Sequence, residues 1–453
     1  MPHFDLVVIG SGSGNSLMTP DLESWNIALV ERGVFGGTCL NAGCIPTKMY
    51  VYPADLIEAA AGSARLGLHP QRLRADWPAI RDRIFGRIDP IAAGGREYRR
   101  TGSANVTLYE SHAHFTGKRE LRLDTGETLT ADQIVLAAGS RVDVPELVSR
   151  SGVRYYTSDT VMRLDELPER VVILGGGYVA AEFAHVFSAF GSAVTVVARS
   201  QLLRGHDRDV SSRFGELVRD KWQVHTDTVA TGLRSEPDGI VVELDDGATV
   251  AGDMLLVATG RRPNNDGLDL DAAGVETHPD GRVVVDEYQR TSADGVWALG
   301  DLCNEHQLKH VANLEARTVA HNLAHPDDLI AADHRFVPSA VFTSPQIAAV
   351  GLTEQDAQAR GIPYVSAVQH FSSTAYGWAM EDATGFCKLL ADPDTGSLLG
   401  AHIMGEQAAT LIQPLIQAMS FGLGAREMAR GQYWIHPALT EVVENALLAL
   451  PLS

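Results

Sequence analysis

The sequence predicts an α/β protein that contains two Rossmann-like dinucleotide-binding domains and a C-terminal α+β domain. Two apolar strands, at residues 6–9 and 171–174, each run into a glycine-rich turn, and the two turns start 165 residues apart, at Gly10 and Gly175. After about residue 335 no further glycine motif occurs, and β-rich segments precede a helix-rich tail. The length of 453 residues corresponds to about three domains of ~150 residues each.

The first pattern predicts a strand, glycine turn, helix and strand that together bind a dinucleotide. The turn has the sequence GSGSGN, and the second strand, at residues 27–30, ends at Glu31. Glycines in such a turn let a pyrophosphate approach the backbone at a helix N-terminus. Glu31 lies 19 residues after Gly12, about the spacing of a carboxylate that binds a ribose 2′-hydroxyl. We therefore expect this site to bind an adenosine with a free ribose, as in FAD or NAD.

Asn15 occupies the position where a third glycine usually allows close helix–strand contact. Its neighbour Gly14 can shift that contact by one residue. Gly10 and Gly12 still face the phosphates, so the departure weakens the motif without removing its phosphate-binding part.

The second pattern predicts a second nucleotide site with a different preference. Gly175, Gly177 and Ala180 form its turn, before a helix-like run at 181–190 and a strand at 193–197. No acid follows that strand; Arg199 and Arg204 do. A guanidinium at this place suits a 2′-phosphate, and alanine in the third glycine position is compatible with NADP(H). The alternative is that both arginines are solvated surface residues.

Composition and charge argue against proteins that bind nucleic acid or membranes. The net charge of −20 repels nucleic acid and anionic membranes. No uninterrupted apolar run approaches the ~20 residues of a membrane helix. The first five residues lead directly into a strand rather than a signal peptide. We expect a cytoplasmic protein with no nucleic-acid and no membrane partner.

Two of the four cysteines, Cys39 and Cys44, lie five residues apart and invite a chemical interpretation. A zinc site would need two more ligands at matching spacing, which the neighbourhood lacks, so no metal is predicted. Two inert thiols are the other alternative. Redox chemistry fits better, because a helix N-terminus stabilises a thiolate. Hydride from a nicotinamide would pass through a flavin at the first site and reduce the pair, and the dithiol would then reduce a substrate disulfide.

Such an exchange needs a general acid to protonate the leaving thiol. His436 is the candidate, because the chain turns at Pro437 and Glu441 follows five residues after the histidine. The carboxylate could fold back and orient the imidazole. A loop histidine without a catalytic role is the alternative.

The segment GGTCLNAGCIPTK, at residues 36–48, resembles the signature of the class I pyridine nucleotide–disulfide oxidoreductases. The resemblance covers the whole chain: both glycine motifs, a TGR turn at 259–261, a GD turn at 300–301 and the HPxxxE at 436–441. Within the family the sequence is most similar to the mycothione reductases. The residues that carry this similarity are 10–15, 48–52, 376–382 and 431–437.

The resemblance implies roles for the catalytic residues. Cys44 would be the thiolate that faces the flavin, and Cys39 the thiol that attacks the substrate disulfide. His436, oriented by Glu441, would be the acid–base and would come from the other subunit of a homodimer, so that the active site is shared. Cys303 and Cys387 receive no role.

The resemblance also implies cofactor contacts. Lys48 and Glu182 resemble an ion pair beneath the flavin, Tyr178 an aromatic gate over the nicotinamide pocket, and Asp301 the group that holds the ribityl chain. The predicted FAD residues are Gly10, Gly12, Gly14, Asn15, Glu31, Gly37, Thr38, Lys48, Gly139 and Asp301. The predicted NADPH residues are Gly175, Gly177, Tyr178, Ala180, Glu182, Arg199, Arg204 and Gly260.

The domain division follows from the order of these motifs. We predict an FAD domain at 1–149, an NADPH domain at 150–261, a segment at 262–335 that completes the FAD domain, and a dimerisation domain at 336–453.

The predicted activity is NADPH-dependent reduction of a low-molecular-weight thiol disulfide, with mycothione as the expected substrate. The alternatives are an NAD-linked dihydrolipoamide dehydrogenase, a glutathione reductase, or a flavin-binding regulator without turnover. Arg199 and Arg204 argue against the NAD-linked enzyme. The lack of a second cysteine pair near the C-terminus argues against mercuric reductase and the large thioredoxin reductases.

Overall fold

The computed structural model describes residues 1–69 and 73–452. Its strands are β1 (His3–Ile9), β2 (Ile27–Val30), β3 (Val106–Tyr109), β4 (Ala113–Gly117), β5 (Glu120–Leu123), β6 (Thr128–Leu136), β7 (Ser140–Val142), β8 (Tyr156–Thr157), β9 (Arg170–Leu174), β10 (Ala193–Val197), β11 (Gln223–His225), β12 (Ala230–Glu236), β13 (Gly239–Leu244), β14 (Thr249–Gly252), β15 (Met254–Val257), β16 (Arg261–Pro263), β17 (Val296–Ala298), β18 (Ser339–Val341), β19 (Gln346–Gly351), β20 (Val365–His370), β21 (Phe386–Ala391) and β22 (Leu398–Gly405).

The α-helices are α1 (Gly37–Asn41), α2 (Cys44–Gly62), α3 (Trp77–Glu97), α4 (Glu146–Arg150), α5 (Ser158–Val161), α6 (Tyr178–Phe190), α7 (Arg208–Val218), α8 (Leu270–Ala273), α9 (Lys309–Ala324), α10 (Glu354–Arg360), α11 (Ala375–Met380), α12 (Ala408–Leu411), α13 (Gln413–Phe421), α14 (Ala425–Arg430) and α15 (Glu441–Ala449). Within the described part of the chain, no helix is both long and apolar enough to cross a membrane.

The first sheet is a parallel β3-β2-β1-β6 core with β17 added beside β6. β5 and β4 extend it in antiparallel fashion. β2 is buried along its whole length, as expected for a parallel strand that is covered on both faces. Because β17 comes from residues 296–298, the chain returns to this sheet after it has formed the second one.

The second sheet has the order β11-β10-β9-β15-β8, with every neighbouring pair parallel. A three-stranded antiparallel sheet, β12-β13-β14, lies beside it. α6 packs its buried phenylalanines Phe183, Phe187 and Phe190 into the core that also contains Tyr50 of α2. The cysteine helix and the second nucleotide-binding unit therefore share one core.

The C-terminal part is an antiparallel sheet of order β18-β19-β22-β21-β20. Residues of this sheet and of α12–α15 form a separate buried core. Two parallel nucleotide-type sheets followed by this α+β unit confirm the predicted fold class.

The prediction of a helix after the first glycine turn is wrong. The stretch between β1 and β2 contains two short 3₁₀ segments, Ser13–Leu17 and Pro20–Leu22, instead of an α-helix. Proline at residue 20 lies inside this connection, where it removes a backbone donor that a continuous α-helix would use. The second unit does contain its helix, α6, which starts three residues earlier than predicted.

The predicted domain limits differ in whether they fall inside a helix, inside a strand or in a loop. The limit at 149/150 lies inside α4, the limit at 261/262 lies inside β16, and the limit at 335/336 lies in the loop between α9 and β18. β16 pairs with β7, so the connection between the first two units is itself a small two-stranded ladder. The domain division stays a prediction.

Candidate active site

A cavity of about 950 Å³ opens beyond the carboxyl ends of β1, β6 and β17. This is the edge at which parallel α/β sheets bind nucleotides. Eight of the ten residues predicted for FAD line it: Gly10, Gly12, Glu31, Gly37, Thr38, Lys48, Gly139 and Asp301. The volume is within the range of cofactor pockets.

The backbone of the first glycine turn has no room for side chains. Gly10 has φ +108°, and a Cβ there would lie 2.3 Å from the carbonyl oxygen of Ala137. A Cβ on Gly37, whose φ is +68°, would lie 2.7 Å from Cα of Gly12. The turn and the start of α1 therefore approach each other backbone to backbone beside the cavity. Such a cradle fits a pyrophosphate, which needs access to main-chain N–H groups.

Glu31 is held at the end of β2 by hydrogen bonds to its two oxygens. Ser11 donates its backbone N–H and its hydroxyl to Oε2, at 2.9 and 2.7 Å, and Gly33 donates its N–H to Oε1 at 2.7 Å. The carboxylate is thus fixed at the cavity wall. Its remaining lone pairs suit the hydroxyls of a ribose.

Asp301 also lines this cavity and follows β17 in the chain. The Ser140 hydroxyl donates to its Oδ2 at 2.6 Å, and Arg261 donates from Nε to the same hydroxyl oxygen at 2.8 Å. The Ser140 hydroxyl therefore connects Arg261 of the TGR turn to Asp301 through two hydrogen bonds. Asp301 keeps its other oxygen free of described protein partners, as a group that binds a polyol chain requires.

The two predicted redox cysteines lie together on the cavity wall. Cys39 is half-buried in α1, and Cys44 is exposed as the first residue of α2. A hydrogen bond from the Cys39 thiol lowers the pKa of Cys44 to about 7; burial opposes this shift, and Lys48 adds to it. The same hydrogen bond raises the pKa of Cys39 well above its usual value. In the dithiol form, Cys44 is therefore the thiol that ionises first, and Cys39 keeps its proton.

The cysteines outside this pair are both buried, and burial raises the pKa of each thiol. Cys303 packs among the residues of the first sheet and Cys387 among those of the C-terminal core. A buried protonated thiol is chemically inert.

A second cavity, of about 800 Å³, opens beyond β9, β10 and β15. Gly175 has φ +129°, and a Cβ there would lie 2.1 Å from the carbonyl oxygen of Ala258. No atom lies within 4 Å of a Cβ built on Gly177, which is the N-cap of α6 and caps the helix with no side chain. The uncapped N–H groups of α6 and the open space above them fit a phosphate group.

Arg199 and Arg204 both line the second cavity and are exposed. Among the described residues neither guanidinium has a hydrogen-bond or ion-pair partner. Most other arginines in the described part of the chain have such partners, for example Arg170 with Asp253. Two unpaired cations at one rim favour an anionic ligand group over a purely solvated role.

Tyr178 lines both cavities, and 40% of its surface is exposed. It is the first residue of α6, one turn before Glu182. The predicted aromatic gate thus lies where the two cavities meet. Gly260 also lines the second cavity.

Three predicted cofactor residues do not line a cavity. A Cβ on Gly14 would lie 2.8 Å from Cβ of Ala137 and 2.9 Å from Cγ1 of Val8, so this glycine provides the close contact that the third motif position usually supplies. Asn15 turns away and accepts a hydrogen bond from Nε of Arg99 at 2.8 Å. Ala180 is buried in the core beneath α6.

His436 and Glu441 form a hydrogen-bonded pair outside the lining of both cavities of their own chain. Nδ1 of His436 lies 2.6 Å from Oε1 of Glu441, and 70% of the histidine side chain is exposed. Neither residue lines the first or the second cavity. The carboxylate fixes the ring and leaves Nε2 directed away from the pair.

Sequence reasoning gave no role to many polar residues of the first cavity wall, among them Ser13, Ser140, Arg261 and Lys309. Ser13 lies inside the glycine motif, and Arg261 ends the TGR turn, so position in a motif could have indicated both. Ser140 and Lys309 belong to no motif and are brought to the wall only by the fold.

Comparison with known proteins agrees with this geometry. The family model "Pyridine nucleotide-disulphide oxidoreductase" matches residues 4–316, and the dimerisation domain of the same family matches residues 337–447. The chain is 54% identical to a mycothione reductase of Mycobacterium tuberculosis over 99% of this chain and 100% of the relative.

More distant relatives carry other activities. A dihydrolipoyl dehydrogenase of Haloferax volcanii is 33% identical, over 98% of this chain and 96% of the relative. Among solved structures, the copper(II) complex of the HOCl-induced flavoprotein disulfide reductase RclA from Escherichia coli superposes with a TM-score of 0.88. Its identity is 26%, over 99% of both chains.

These similarities favour the predicted activity over the alternatives and agree with a flavin and a pyridine nucleotide as cofactors. The resemblance inferred from the cysteine segment and the two glycine motifs is confirmed. With matches that span nearly all of the sequence, the chain belongs to the pyridine nucleotide–disulphide oxidoreductase family.

Proposed function

We propose that this protein uses NADPH and FAD to reduce mycothione to two molecules of mycothiol through the Cys39–Cys44 pair. The observation that carries the proposal is the arrangement of the two cavities, which meet at Tyr178. The reactive thiols line the first cavity, and the unpaired Arg199 and Arg204 line the second. A mycothione reductase is also a far closer relative, at 54% identity, than the dihydrolipoyl dehydrogenase at 33%.

The residues that would hold FAD are Gly10 and Gly12 at the pyrophosphate, Glu31 at the ribose and Asp301 at the ribityl chain. FAD, when bound, supplies two-electron transfer between a nicotinamide and the cysteine disulfide. Arg199 and Arg204 would bind the 2′-phosphate of NADPH, and Gly175 and Gly177 its pyrophosphate.

The chain's own thiols then carry out the exchange. The His436 imidazole takes the proton of the Cys39 thiol, the Cys39 sulfur attacks one sulfur of the substrate, a mixed disulfide forms, and the substrate S–S bond breaks. The first thiol leaves as a thiolate and takes a proton from the His436 imidazolium. The Cys44 thiolate next attacks Cys39, closes the Cys39–Cys44 disulfide and releases the second thiol. NADPH is oxidised by two electrons for each substrate disulfide that is reduced.

Cys44 is suited to the second step because its pKa of about 7 leaves about half of it as thiolate at neutral pH. Its low pKa follows first from the hydrogen bond that Cys39 donates and then from Lys48. When Cys39 is consumed in the mixed disulfide, that hydrogen bond is lost. The thiolate becomes more basic and more nucleophilic at the moment when it must attack.

We also propose that the acid–base pair acts across a homodimer. The chain carries the family's dimerisation domain, and its His436–Glu441 pair is exposed and lines neither cavity of its own subunit. Large apolar side chains of the same part of the sequence are exposed, including Phe421, Tyr433 and Ile435. Exposed apolar surface of this kind is typical of a protein interface. A cytoplasmic location also fits, because the dithiol must be kept reduced.

Steady-state kinetics with a panel of substrates test the proposal. NADPH and NADH are each combined with mycothione, glutathione disulfide and lipoamide, using the FAD-loaded protein. We expect kcat/KM to be highest for NADPH with mycothione. A preference for NADH with lipoamide would contradict the proposal and favour a dihydrolipoamide dehydrogenase.

A further inference from the structure

Lys309 is a cation of the first cavity that no motif points to. It is the first residue of α9 and lines the cavity together with Cys39 and Cys44. Its ammonium donates a hydrogen bond to the Ser13 hydroxyl at 2.7 Å, and Ser13 belongs to the glycine turn. Within residues 1–69 and 73–452, Ser13 is the only hydrogen-bond partner of this ammonium, and no carboxylate pairs with it.

The helix α9 ties together two parts of the cavity wall. At its start, Lys309 reaches the glycine turn, and the helix packs against the Ser13–Leu17 segment. One and a half turns later, the buried Glu315 accepts the backbone N–H of Gly300 at 2.6 Å, next to Asp301. Because no α-helix follows the glycine turn in this chain, α9 provides a support that the turn's own helix does not.

Two lysines face the cysteine pair, and their charges are compensated differently. Lys48 is bound by both carboxylate oxygens of Glu182. Lys309 is bound only by a neutral hydroxyl, so its positive charge is not cancelled by a neighbouring anion. The same cavity wall also carries Tyr178, Glu182 and Asp159, which add no positive charge, and the cationic or titratable side chains Arg163, Arg261 and His310. Lys309 lowers the pKa of both thiols, by less than their mutual hydrogen bond.

We propose that Lys309 is a positioning residue of the reaction, which holds the glycine turn through Ser13 and presents an uncompensated positive charge to the Cys39–Cys44 pair. The inference rests on the proposed redox role of this pair. The charge favours the thiolate in the reduced enzyme, and the hydrogen bond keeps the pyrophosphate-binding turn against α9.

The pH dependence of thiol alkylation tests the charge. The FAD-loaded protein is reduced with dithiothreitol, freed of the reductant, and treated with iodoacetamide between pH 5 and 10, and modified cysteines are located by mass spectrometry. In Lys309→Met we expect the midpoint for the pair to rise by about 0.5 pH unit, as for loss of one nearby, partly screened charge. Lys309→Arg keeps the charge and should stay within about 0.2 unit of the unchanged protein.

Ser13→Ala separates the two roles, because it removes the hydrogen bond and keeps the ammonium. We expect its alkylation midpoint to be unchanged. Both Ser13→Ala and Lys309→Met should release FAD about two- to tenfold faster, which is the effect of losing one hydrogen bond. Lys118→Met removes a positive charge from an exposed turn between β4 and β5 and serves as the matched charge control.

An alkylation midpoint in Lys309→Met equal to that of the unchanged protein, or an equal rise in Lys118→Met, would overturn the inference. An unchanged rate of FAD release in both Ser13→Ala and Lys309→Met would contradict the proposal that Lys309 holds the glycine turn through Ser13. The proposed function fails separately: an enzyme that does not reduce mycothione with NADPH, but in which Lys309→Met still raises the midpoint, leaves the Lys309 inference standing.

Discussion

The ammonium of Lys48 lies 2.8 and 2.7 Å from the two carboxylate oxygens of Glu182, and this ion pair joins the cysteine helix α2 to α6. Only 3% of the Glu182 side chain is exposed, compared with 34% for Lys48. Oε1 of Glu182 also accepts the backbone N–H of Phe342 at 3.0 Å, just after β18. One buried carboxylate thus connects the redox helix, the second nucleotide unit and the C-terminal part of the chain.

Lys48→Met should destabilise the protein, because it leaves a buried carboxylate with one backbone partner. We expect a loss of about 1–3 kcal/mol of unfolding free energy, measured as a lower thermal or urea midpoint. The same change should raise the pKa of Cys44, since Lys48 is one of the groups that lower it. Lys118→Met, on an exposed turn, is the control, and equal stability of the two variants would contradict a structural role for the pair.

Removal of the Cys39 thiol should distinguish hydrogen bonding from covalent chemistry. In Cys39→Ala the donor to Cys44 is lost, so the pKa of Cys44 should rise from about 7 toward its ordinary value of 9.0. In Cys39→Ser a hydroxyl can still donate, and the pKa should rise less. Both variants should lose disulfide reduction. The measurement is the rate of Cys44 alkylation as a function of pH.

The sign of this pH dependence follows from the thiolate being the reactive form. With a pKa of about 7, the thiolate fraction in the reduced protein increases about tenfold between pH 6 and pH 8. A thiolate next to an oxidised flavin gives a charge-transfer absorption band. If Cys44 is that thiolate, the FAD-loaded Cys39→Ser protein should keep this band. If that band disappears in Cys39→Ser and survives in Cys44→Ser, the roles proposed for the two sulfurs are reversed.

The sequence predicts those features of the site that depend on local spacing. The number of residues between Gly12 and Glu31 matches the usual spacing of the motif, and Glu31 does line the first cavity. The absence of the first helix was not predicted, because the glycine motif precedes Pro20 and looks the same with or without a helix behind it. The glycine motif predicts the contact with phosphate, but it does not determine the structure of the remaining chain between β1 and β2.

Contacts between distant parts of the chain could not be predicted from local spacing. Lys309 meets Ser13 across 296 positions, and Ser140 meets Asp301 across 161. Nothing near Lys309 distinguishes it from a surface lysine at the start of a helix. Long-range polar contacts of this kind require the fold, because no periodicity or motif encodes their partners.

Arg199→Ala should raise the KM for NADPH by about 10- to 100-fold, as expected for loss of a charge-assisted contact to a phosphate. The KM for NADH, which lacks the 2′-phosphate, should change little. Arg204→Ala should act in the same direction. The measurement is steady-state kinetics with both nucleotides at saturating disulfide.

Arg213→Ala is the matched control, because Arg213 is a partly exposed arginine of α7 that pairs with Glu216 and does not line the second cavity. It should leave both KM values unchanged. Equal increases for NADPH and NADH in Arg199→Ala would mean that the guanidinium does not recognise the phosphate.

The proposed sharing of the active site between subunits predicts complementation between two inactive variants. Cys39→Ser and His436→Ala should each be inactive as homodimers in mycothione reduction. In a heterodimer of the two, one composite site contains both changes, and the other contains an intact Cys39 and an intact His436. We therefore expect the purified heterodimer, with one differently tagged subunit of each kind, to regain about half of the unchanged activity.

The control is a heterodimer of Cys39→Ser with a subunit that carries both Cys39→Ser and His436→Ala, which has no intact site in any arrangement. If the cysteine pair and the histidine of one subunit acted together, the first heterodimer would also stay inactive, because each subunit lacks one of the two groups.

The variant Glu441→Gln tests whether Glu441 orients His436. It keeps a side-chain oxygen that can accept from Nδ1 of His436 but removes the charge that stabilises the imidazolium. Its activity should therefore fall between that of the unchanged enzyme and that of His436→Ala, and equal activity would contradict an orienting role for Glu441.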